Sequence, residues 1–492
     1  MIRYRYFIII QLILFFLILS CSKQKISKNQ VPGKTWLQYQ TPEDAGFSSE
    51  KLSRVKAFYD SLGSAALFVV YKGIVLVDWG ETYRRFKCHS MRKSFLSALY
   101  GIYIDKGIID TTKTLAELGI DDKPFPLTDT EKTARIVDLL SARSGIYLQA
   151  AYEPARNRKP PRGTYPPGTH WCYNNWDFNT LLTIFEQETG KKIFEEFNTH
   201  FAEPLQMEHF HPSHGYYHYE LEKSMHPAYP FRMSARDLAR FGLLFLNKGR
   251  WANKQILSKD YVRRSTSLIS HDATTGKGYG YMWWVHQTEP FKSNGMYSAL
   301  GSGEHSIDVL PGADMVLIHR PNTYHWKRIT YQQRRRLIQL VLESKVGESK
   351  KNVTLIPITN PGSSFKSIQM TESEKNALTG TYLKDGNRFP FIIENIDGQL
   401  KADFGEGKVG LHKIGEHHFI IEDWNDDVYF IDNEDGKREL ICIITLLMEG
   451  DYYLNRGELD KALVYYTKAK KYYRDDPRVA ICMEDVERQS NK

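Results

Sequence analysis

The sequence places a serine, Ser90, three residues before a lysine, Lys93, in the segment HSMRKSFLSAL. Residues three apart share one face of a helix, so the Lys93 amine would reach the Ser90 hydroxyl. The positive end of the helix and an apolar setting both disfavour the ammonium form and lower the pKa of Lys93. A neutral lysine beside a serine acts as general base for a nucleophile. The alternative is an ordinary helix start, with Ser90 as N-cap and Lys93 extending to water.

The segment after Ser90 must form the helix that carries this pair. In KSFLSALYGIYIDKG, large apolar residues are interspersed with the small residues Ser97, Ala98 and Gly101, so the segment is apolar on nearly all sides. Such a helix belongs in the interior of a domain. A lysine at its start needs a polar partner or a chemical role. The pattern therefore predicts a central helix with Lys93 buried.

Around this helix the sequence predicts an α+β domain. Two apolar runs in SAALFVVYKGIVLVDWGE, joined at Lys72-Gly73, predict a β-hairpin. A mainly helical stretch follows to about Gly249, and strands return in GYGYMWWVH, SALGSGEHSIDVLPG and DMVLIHR. A last helix, in TYQQRRRLIQLVLESK, ends near Lys345. Strands at both ends of a helical middle predict one antiparallel sheet flanked by a helical subdomain.

A second polar motif follows further along the chain, in YPPGTHWCYNNWDFNTLLTIFEQETG. A Pro-Gly turn leads to Tyr173, Asn174 and Asn175, and a helix then begins. Asn175 is placed either to cap that helix or to hydrogen-bond a substrate or Lys93, and these roles are compatible.

Together, Ser-x-x-Lys opening a buried helix and Tyr-x-Asn on a later loop resemble the serine β-lactamase and penicillin-binding protein superfamily. The sequence is most similar to the class C β-lactamase-like branch of esterases, D-amino-acid peptidases and amide hydrolases. The segments DLLSARSGI, FNTHFAEPLQM and FRMSARDLARFGLLFLNKGRWANKQIL also resemble family segments, in the same order. The resemblance covers about residues 45–345 and implies the class C β-lactamase-like fold.

The resemblance also implies roles for individual residues. Ser90 would be the acylated nucleophile and Lys93 its activating base. Tyr173, as a phenolate near Lys93, would take and return the proton shared with the leaving group. Asn175 would hydrogen-bond the substrate or Lys93.

The third family element is a strand carrying Lys-x-Gly, and here the sequence departs from the pattern. Its counterpart is ALGSGEHSIDVLP, which has Ala299 or Leu300 where the family lysine stands and resembles the variant Gly-x-Gly-Gly-Gln. In this alignment Gly301 lines the site and the backbone N–H of Ser302 joins that of Ser90 in an oxyanion hole. The missing cation argues against recognition of a β-lactam or peptide carboxylate. Arg320 or His305 could replace it, and neither is favoured.

These residues predict a serine hydrolase that cleaves an ester or amide bond through an acyl-serine intermediate, with no metal or cofactor. The expected substrate is a small-molecule or peptide ester or amide. One alternative is a D-alanyl peptidase, a peptidoglycan-type amidase or a β-lactamase. Another is a penicillin-binding sensor that acylates on Ser90 and turns over slowly. The net charge of +8 is spread without a dense basic block, so we expect no nucleic-acid partner.

The N-terminus indicates export. Arg3 and Arg5 precede an apolar run that ends at Leu19, which is typical of a secretory signal. The ending Ile-Leu-Ser-Cys resembles a bacterial lipobox, which implies that Cys21 carries lipid. The protein is therefore expected to be a bacterial membrane lipoprotein, facing the periplasm or the cell surface. Whether Cys88 and Cys172 form a disulfide stays open.

Composition shifts divide the chain further. The composition of NVTLIPITNPGSSFKSIQ is typical of a linker. The alternating segments after it predict a small all-β domain. The C-terminal segment predicts a helical hairpin, whose two helices are joined at Arg456-Gly457. That hairpin resembles one tetratricopeptide repeat. A single repeat does not bury enough surface to be stable alone, so we expect it to pack against another surface, and it is a candidate site for a protein partner. The predicted regions are signal peptide 1–21, polar tether 22–44, hydrolase domain 45–345, linker 346–370, β domain 371–440 and helical pair 441–492.

Overall fold

The computed structural model describes residues 24–25, 30–153, 159–272, 276–321, 329–359, 366–382, 390–405, 407–422, 427–432, 437–454, 456–474 and 476–490. These residues form two compact units, one extending to residue 360 and the other covering residues 361–492. The predicted signal segment and Cys21 lie outside the described residues.

A ten-stranded sheet forms the centre of the first unit. Its neighbouring strands are antiparallel, except that Leu37–Tyr39 runs parallel to Ile74–Gly80. In order across the sheet, the strands are Ser270–His271, Gly278–Tyr279, Trp284–Val285, Tyr297–Gly301, His305–Leu310, Met315–Pro321, Ser64–Tyr71, Ile74–Gly80, Leu37–Tyr39 and Leu355–Pro357.

The hairpin predicted at Lys72-Gly73 lies within this sheet. Ser64–Tyr71 pairs with Ile74–Gly80, and the φ angles of Lys72 and Gly73 are 53° and 76°. Two consecutive left-handed residues are the turn that matches the twist of a two-residue hairpin. Alternate residues of Ser64–Tyr71 belong to the cores on the two faces of the sheet. Because both faces are buried, this strand has a continuous apolar run instead of an alternating pattern.

Helices cover both faces of the sheet. On one face, Ser49–Leu62 packs against Tyr331–Glu343. On the other face, Ala235–Leu246 contacts the central strands, beside the helical subdomain. The helices of that subdomain are Arg92–Asp105, Ile136–Leu140, Asn175–Thr189, Ile193–Phe197 and Lys259–Ser265. The predicted α+β layout is confirmed.

The segment GYGYMWWVH, in which strands were expected, forms two short strands. Gly278–Tyr279 and Trp284–Val285 pair antiparallel with each other. Between them, Met282 has a φ of 60°, and the Gly280 N–H donates to the Trp283 carbonyl at 2.8 Å. The periodicity of an apolar run does not reveal such a reversal.

The predicted tether and linker are both shorter than expected. Leu37–Tyr39, within the tether, pairs with Leu355–Pro357, within the linker, at the edge of the sheet. Trp36 is only 1% exposed and meets Phe68 edge-on, with ring centroids 5.2 Å apart. Burial of these apolar residues overrides the polar composition around them.

The second unit is a seven-stranded antiparallel sheet followed by helices. Each strand pairs with the next in the chain. The strands are Gly380–Tyr382, Phe391–Ile396, Gln399–Asp403, Lys408–Lys413, His418–Ile421, Asp427–Asp432 and Arg438–Cys442, and the helices are Ile443–Leu454, Leu459–Tyr472 and Pro477–Ser490.

Among the described C-terminal residues there are three helices, one more than the predicted pair. Gly457, with a φ of 75°, lies at the expected break between the first two. The helices share a core with Ile441 of the last strand, whose carbonyl accepts a hydrogen bond from the Tyr473 hydroxyl at 3.1 Å. They therefore rest on the sheet. The resemblance to a tetratricopeptide repeat stays a prediction.

Candidate active site

Ser90 and Lys93 meet at the start of the central helix. Ser90 lies in the 3₁₀ turn His89–Met91, and Lys93 lies in the first turn of Arg92–Asp105. Lys93 Nζ is 2.9 Å from Ser90 Oγ. Lys93 is 2% exposed, whereas Ser90 is half-buried. The helix has no side-chain cap, so the alternative of an N-cap serine with a solvated lysine is wrong.

Tyr173 and Asn175 reach the same amine from the second motif. Lys93 Nζ lies 2.5 Å from the Tyr173 hydroxyl oxygen and 2.8 Å from Asn175 Oδ1. The cap of the helix Asn175–Thr189 is Asn174, whose Oδ1 accepts from the Trp176 N–H at 3.0 Å. Asn175 is therefore not the N-cap, and its side chain is free to face Lys93.

The surroundings of Lys93 favour its neutral form. Burial removes the water that would solvate an ammonium, and the neighbouring Arg92 guanidinium repels it. The Glu153 carboxylate acts in the opposite direction, yet the pKa of Lys93 stays well below its usual value of 10.5. The Tyr173 and Phe178 rings lie 4.4 and 4.7 Å from Nζ and complete a largely apolar pocket.

The surroundings of Tyr173 favour its phenol form. Its ring stacks on Trp284 with centroids 5.5 Å apart. Burial raises its pKa to about 12, although hydrogen bonding with Ser90 and the charge of Arg92 oppose this. Burial thus disfavours the charged form of both Lys93 and Tyr173. The expected role of Tyr173 as a phenolate stays a prediction.

The strand Tyr297–Gly301 brings the third predicted element to Ser90. A Cβ placed on Gly301 would lie 2.7 Å from the Cys88 carbonyl oxygen and 3.3 Å from the His89 Cβ. The strand end thus packs directly on the two residues before Ser90, and glycine permits that approach. Ser302 follows at once and is exposed. Its role as an oxyanion donor stays a prediction.

Neither candidate for the missing cation is accessible. His305 is fully buried, and burial together with the Arg320 charge holds its pKa well below the usual range. Arg320 is also fully buried, and it donates to the Lys87 carbonyl at 3.0 Å. Cys88 and Cys172 are both free thiols.

Sequence reasoning missed two contributors to the site. Arg92, 1% exposed, lies over the Tyr229 ring at 4.0 Å and supplies the charge that acts on Lys93. The Tyr152 carbonyl accepts a hydrogen bond from Asn175 Nδ2 at 2.7 Å. The apolar pattern after Ser90 could have indicated that Arg92 is buried, but a backbone carbonyl leaves no signal in side-chain types.

Among the described residues, no group of three or more His, Cys, Asp or Glu side chains is arranged to hold a metal ion.

Comparison with known families identifies the family of the chain. A family model described as Beta-lactamase matches residues 54–338, which is more than half of the 492-residue chain. The chain therefore belongs to the beta-lactamase family. This membership, and with it the resemblance to penicillin-binding proteins, implies serine acyl-transfer hydrolase chemistry.

Solved structures with similar folds come from several sources. A Bacillus anthracis protein described as a candidate 6-aminohexanoate-dimer hydrolase is 19% identical, over 66% of this chain and 89% of its own, with a TM-score of 0.48. The octameric penicillin-binding protein homologue of Pyrococcus abyssi is 15% identical, over 80% and 98%, with a TM-score of 0.46. A class C beta-lactamase mutant is 15% identical, over 59% and 98%, with a TM-score of 0.44. All three TM-scores are below 0.5, so we base no argument on these similarities.

Proposed function

We propose that the protein is a serine hydrolase that cleaves an ester or amide bond through an acyl-Ser90 intermediate. The observation that carries the proposal is the buried Lys93 amine, 2.9 Å from the Ser90 hydroxyl oxygen. A lysine whose pKa is lowered by burial is a base at neutral pH, and a base at this distance activates a hydroxyl nucleophile.

The neighbours of Lys93 fix the direction of proton transfer. A neutral amine has two N–H groups and one lone pair. Asn175 Oδ1 only accepts hydrogen bonds, so it takes one N–H. The second N–H can go to either the Ser90 hydroxyl or the Tyr173 hydroxyl, and the hydroxyl that does not accept it must donate to the lone pair. In the reactive arrangement Tyr173 accepts the second N–H and Ser90 donates to Lys93 Nζ.

The reaction then follows from these contacts. Ser90 Oγ bonds to the substrate carbonyl carbon while its proton passes to Lys93, and the carbonyl oxygen becomes an oxyanion held by the Ser90 and Ser302 N–H groups. The bond to the leaving alcohol or amine breaks as that group takes the proton of Tyr173, which Lys93 replaces. Water then attacks the acyl-serine ester and gives a proton to Lys93. Lys93 passes that proton to Ser90 Oγ as the bond between the acyl carbon and Ser90 breaks and the acid is released.

The third strand supports substrates that do not depend on a carboxylate. Ala299 or Leu300 stands at the position of the family lysine. His305 is neutral and buried, and the charge of Arg320 lies inside the domain. We therefore favour simple ester and amide substrates over β-lactams or D-alanyl peptides.

We further propose that lipid on Cys21 tethers the enzyme to a membrane. This proposal rests on the sequence. No helix within the described ranges is long and apolar enough to span a bilayer.

The test compares two substrates and one variant. The domain is assayed with a p-nitrophenyl ester and with a penicillin, beside Ser90→Ala. We expect steady turnover of the ester that is lost in Ser90→Ala. A penicillin adduct on Ser90 that persists without ester turnover would instead support the sensor, and rapid penicillin hydrolysis would support the β-lactamase. Ester turnover that survives in Ser90→Ala would refute the proposal.

A further inference from the structure

Tyr152 has a strained backbone beside the candidate active site. Its φ is 59°, in the left-handed region that residues other than glycine rarely adopt. Its carbonyl accepts from Asn175 Nδ2 at 2.7 Å, and its N–H donates to Glu220 Oε1 at 2.8 Å. A strained residue persists when its surroundings hold it, and such residues cluster at functional sites.

Glu220 is well placed to hold that backbone. It ends the strand His218–Glu220, which forms a hairpin with Ser224–Ala228. Its carboxylate is paired with the Lys223 ammonium and lies 3.1 Å from His218 Nε2. Burial opposes its ionisation, but the bonds from Lys223, the Tyr152 N–H and His218 keep the pKa of Glu220 below its usual value. Glu220 is therefore a fixed anion.

The Tyr152 carbonyl determines which way the Asn175 amide points. A carbonyl only accepts hydrogen bonds, so it selects the NH₂ group of Asn175 and turns Oδ1 toward Lys93. That oxygen is 2.8 Å from Nζ. If the amide were reversed or displaced, Lys93 would lose the acceptor that occupies one of its N–H groups. The lone pair would then no longer be directed at Ser90.

We propose that Glu220 is a positioning residue for the Ser90–Lys93 pair, acting through the Tyr152 backbone and the Asn175 amide. This inference rests on the proposed function of Ser90. The hydrogen-bonded chain is unbroken: Glu220 to Tyr152, Tyr152 to Asn175, Asn175 to Lys93, and Lys93 to Ser90. These hydrogen bonds link the hairpin of residues 218–228 to Lys93, although Glu220 itself contacts none of the reacting atoms.

The test uses three substitutions of Glu220 that differ in one property each. Glu220→Gln keeps an acceptor oxygen at the same reach but removes the charge. Glu220→Asn keeps the amide and shortens the side chain by one C–C bond, about 1.5 Å. Glu220→Ala removes the acceptor. The readout is the second-order rate of Ser90 labelling by a fluorophosphonate, followed by intact mass, with the melting temperature measured for every variant.

We expect the alanine and asparagine variants to label at least about tenfold more slowly, since a displacement of about 1 Å at a reacting group can cost 100-fold. The glutamine variant should stay within about threefold of the wild type, because its amide oxygen keeps the bond to Tyr152. Should the alanine variant fail to fold, the asparagine and glutamine variants carry the comparison.

A double-mutant cycle separates positioning from general stability. If Glu220 acts through Asn175, then Glu220→Ala adds no further slowing in an Asn175→Ala background. Additive losses would overturn the inference, as would a glutamine variant as slow as the alanine variant, or wild-type rates in all three. Labelling that persists in Ser90→Ala would instead refute the proposed function, and this inference would fall with it. Labelling specific to Ser90 but insensitive to Glu220 would refute the inference alone.

Discussion

Gly301→Ala tests whether the third strand contributes to catalysis through its contact with the residues before Ser90. The added methyl would lie 2.7 Å from the Cys88 carbonyl oxygen and 3.1 Å from the His305 Cβ. Both are closer than side-chain carbons normally approach, and the Cys88 oxygen belongs to the backbone and cannot rotate away. The strand end must therefore move outward by several tenths of an ångström, and Ser302 must move with it.

This displacement predicts two effects of different size. Overpacking a well-packed site costs about 1–3 kcal/mol of unfolding free energy. Complete loss of one oxyanion donor costs about 2.7–4 kcal/mol of the activation barrier, or 100- to 1,000-fold in kcat. Because the Ser302 N–H is displaced and not removed, we expect kcat for a p-nitrophenyl ester to fall by about 10- to 100-fold.

Gly242→Ala is the matched control. Its Cβ would meet the side chains of Val316 and Ile307 at 2.6 and 3.0 Å, where the helix Ala235–Leu246 packs on the sheet. It should lower the melting temperature and leave kcat unchanged. Wild-type kcat in Gly301→Ala would refute the role assigned to this strand. So would an equal loss of kcat in both variants, since the effect would then follow stability and not position.

Three further predictions concern buried titratable residues. Because burial lowers the pKa of Lys93 well below 10.5, kcat/KM should reach its plateau well before pH 10.5 and fall at lower pH as Lys93 gains a proton; a rise continuing to pH 10.5 would contradict this. Lys93→Met should slow fluorophosphonate labelling by about 100- to 10,000-fold. It should also raise the melting temperature at neutral pH, since the unfolded state binds a proton that the buried amine does not, and a lower melting temperature would count against a neutral Lys93. Asp308→Ala strips the fully buried Arg334 of a partner at 2.8 Å and should cost about 3–5 kcal/mol in urea unfolding, whereas a loss below 1 kcal/mol would show that Arg334 is satisfied without it.

Local patterns predicted the elements that carry the chemistry. The hairpin at Lys72-Gly73 and the central helix were visible because turn chemistry and an all-round apolar pattern are local signals. Ser90 and Lys93 share a helix turn, so their contact follows from spacing alone. The third C-terminal helix also has a local signal in the sequence. Pro477 stands at its first position, where proline is favoured.

Other features depend on contacts between distant segments. Asn174 and Asn175 are adjacent and of the same residue type, so the sequence does not show which of them caps the helix. The fold decides this, because only the Asn175 side chain reaches Lys93. The raised pKa of Tyr173 follows from burial by elements far apart in the chain. The link from Glu220 to Asn175 runs through the backbone N–H and carbonyl of residue 152, which every residue type except proline would supply. Two-residue strands such as Gly278–Tyr279 are too short for any periodicity to detect.

The central claim is that Ser90 is a nucleophile, and intact-mass spectrometry after fluorophosphonate treatment tests it most directly. We expect one phosphonyl adduct per chain on the wild-type protein and none on folded Ser90→Ala. An unmodified wild-type protein, or an adduct that persists in Ser90→Ala, would contradict it.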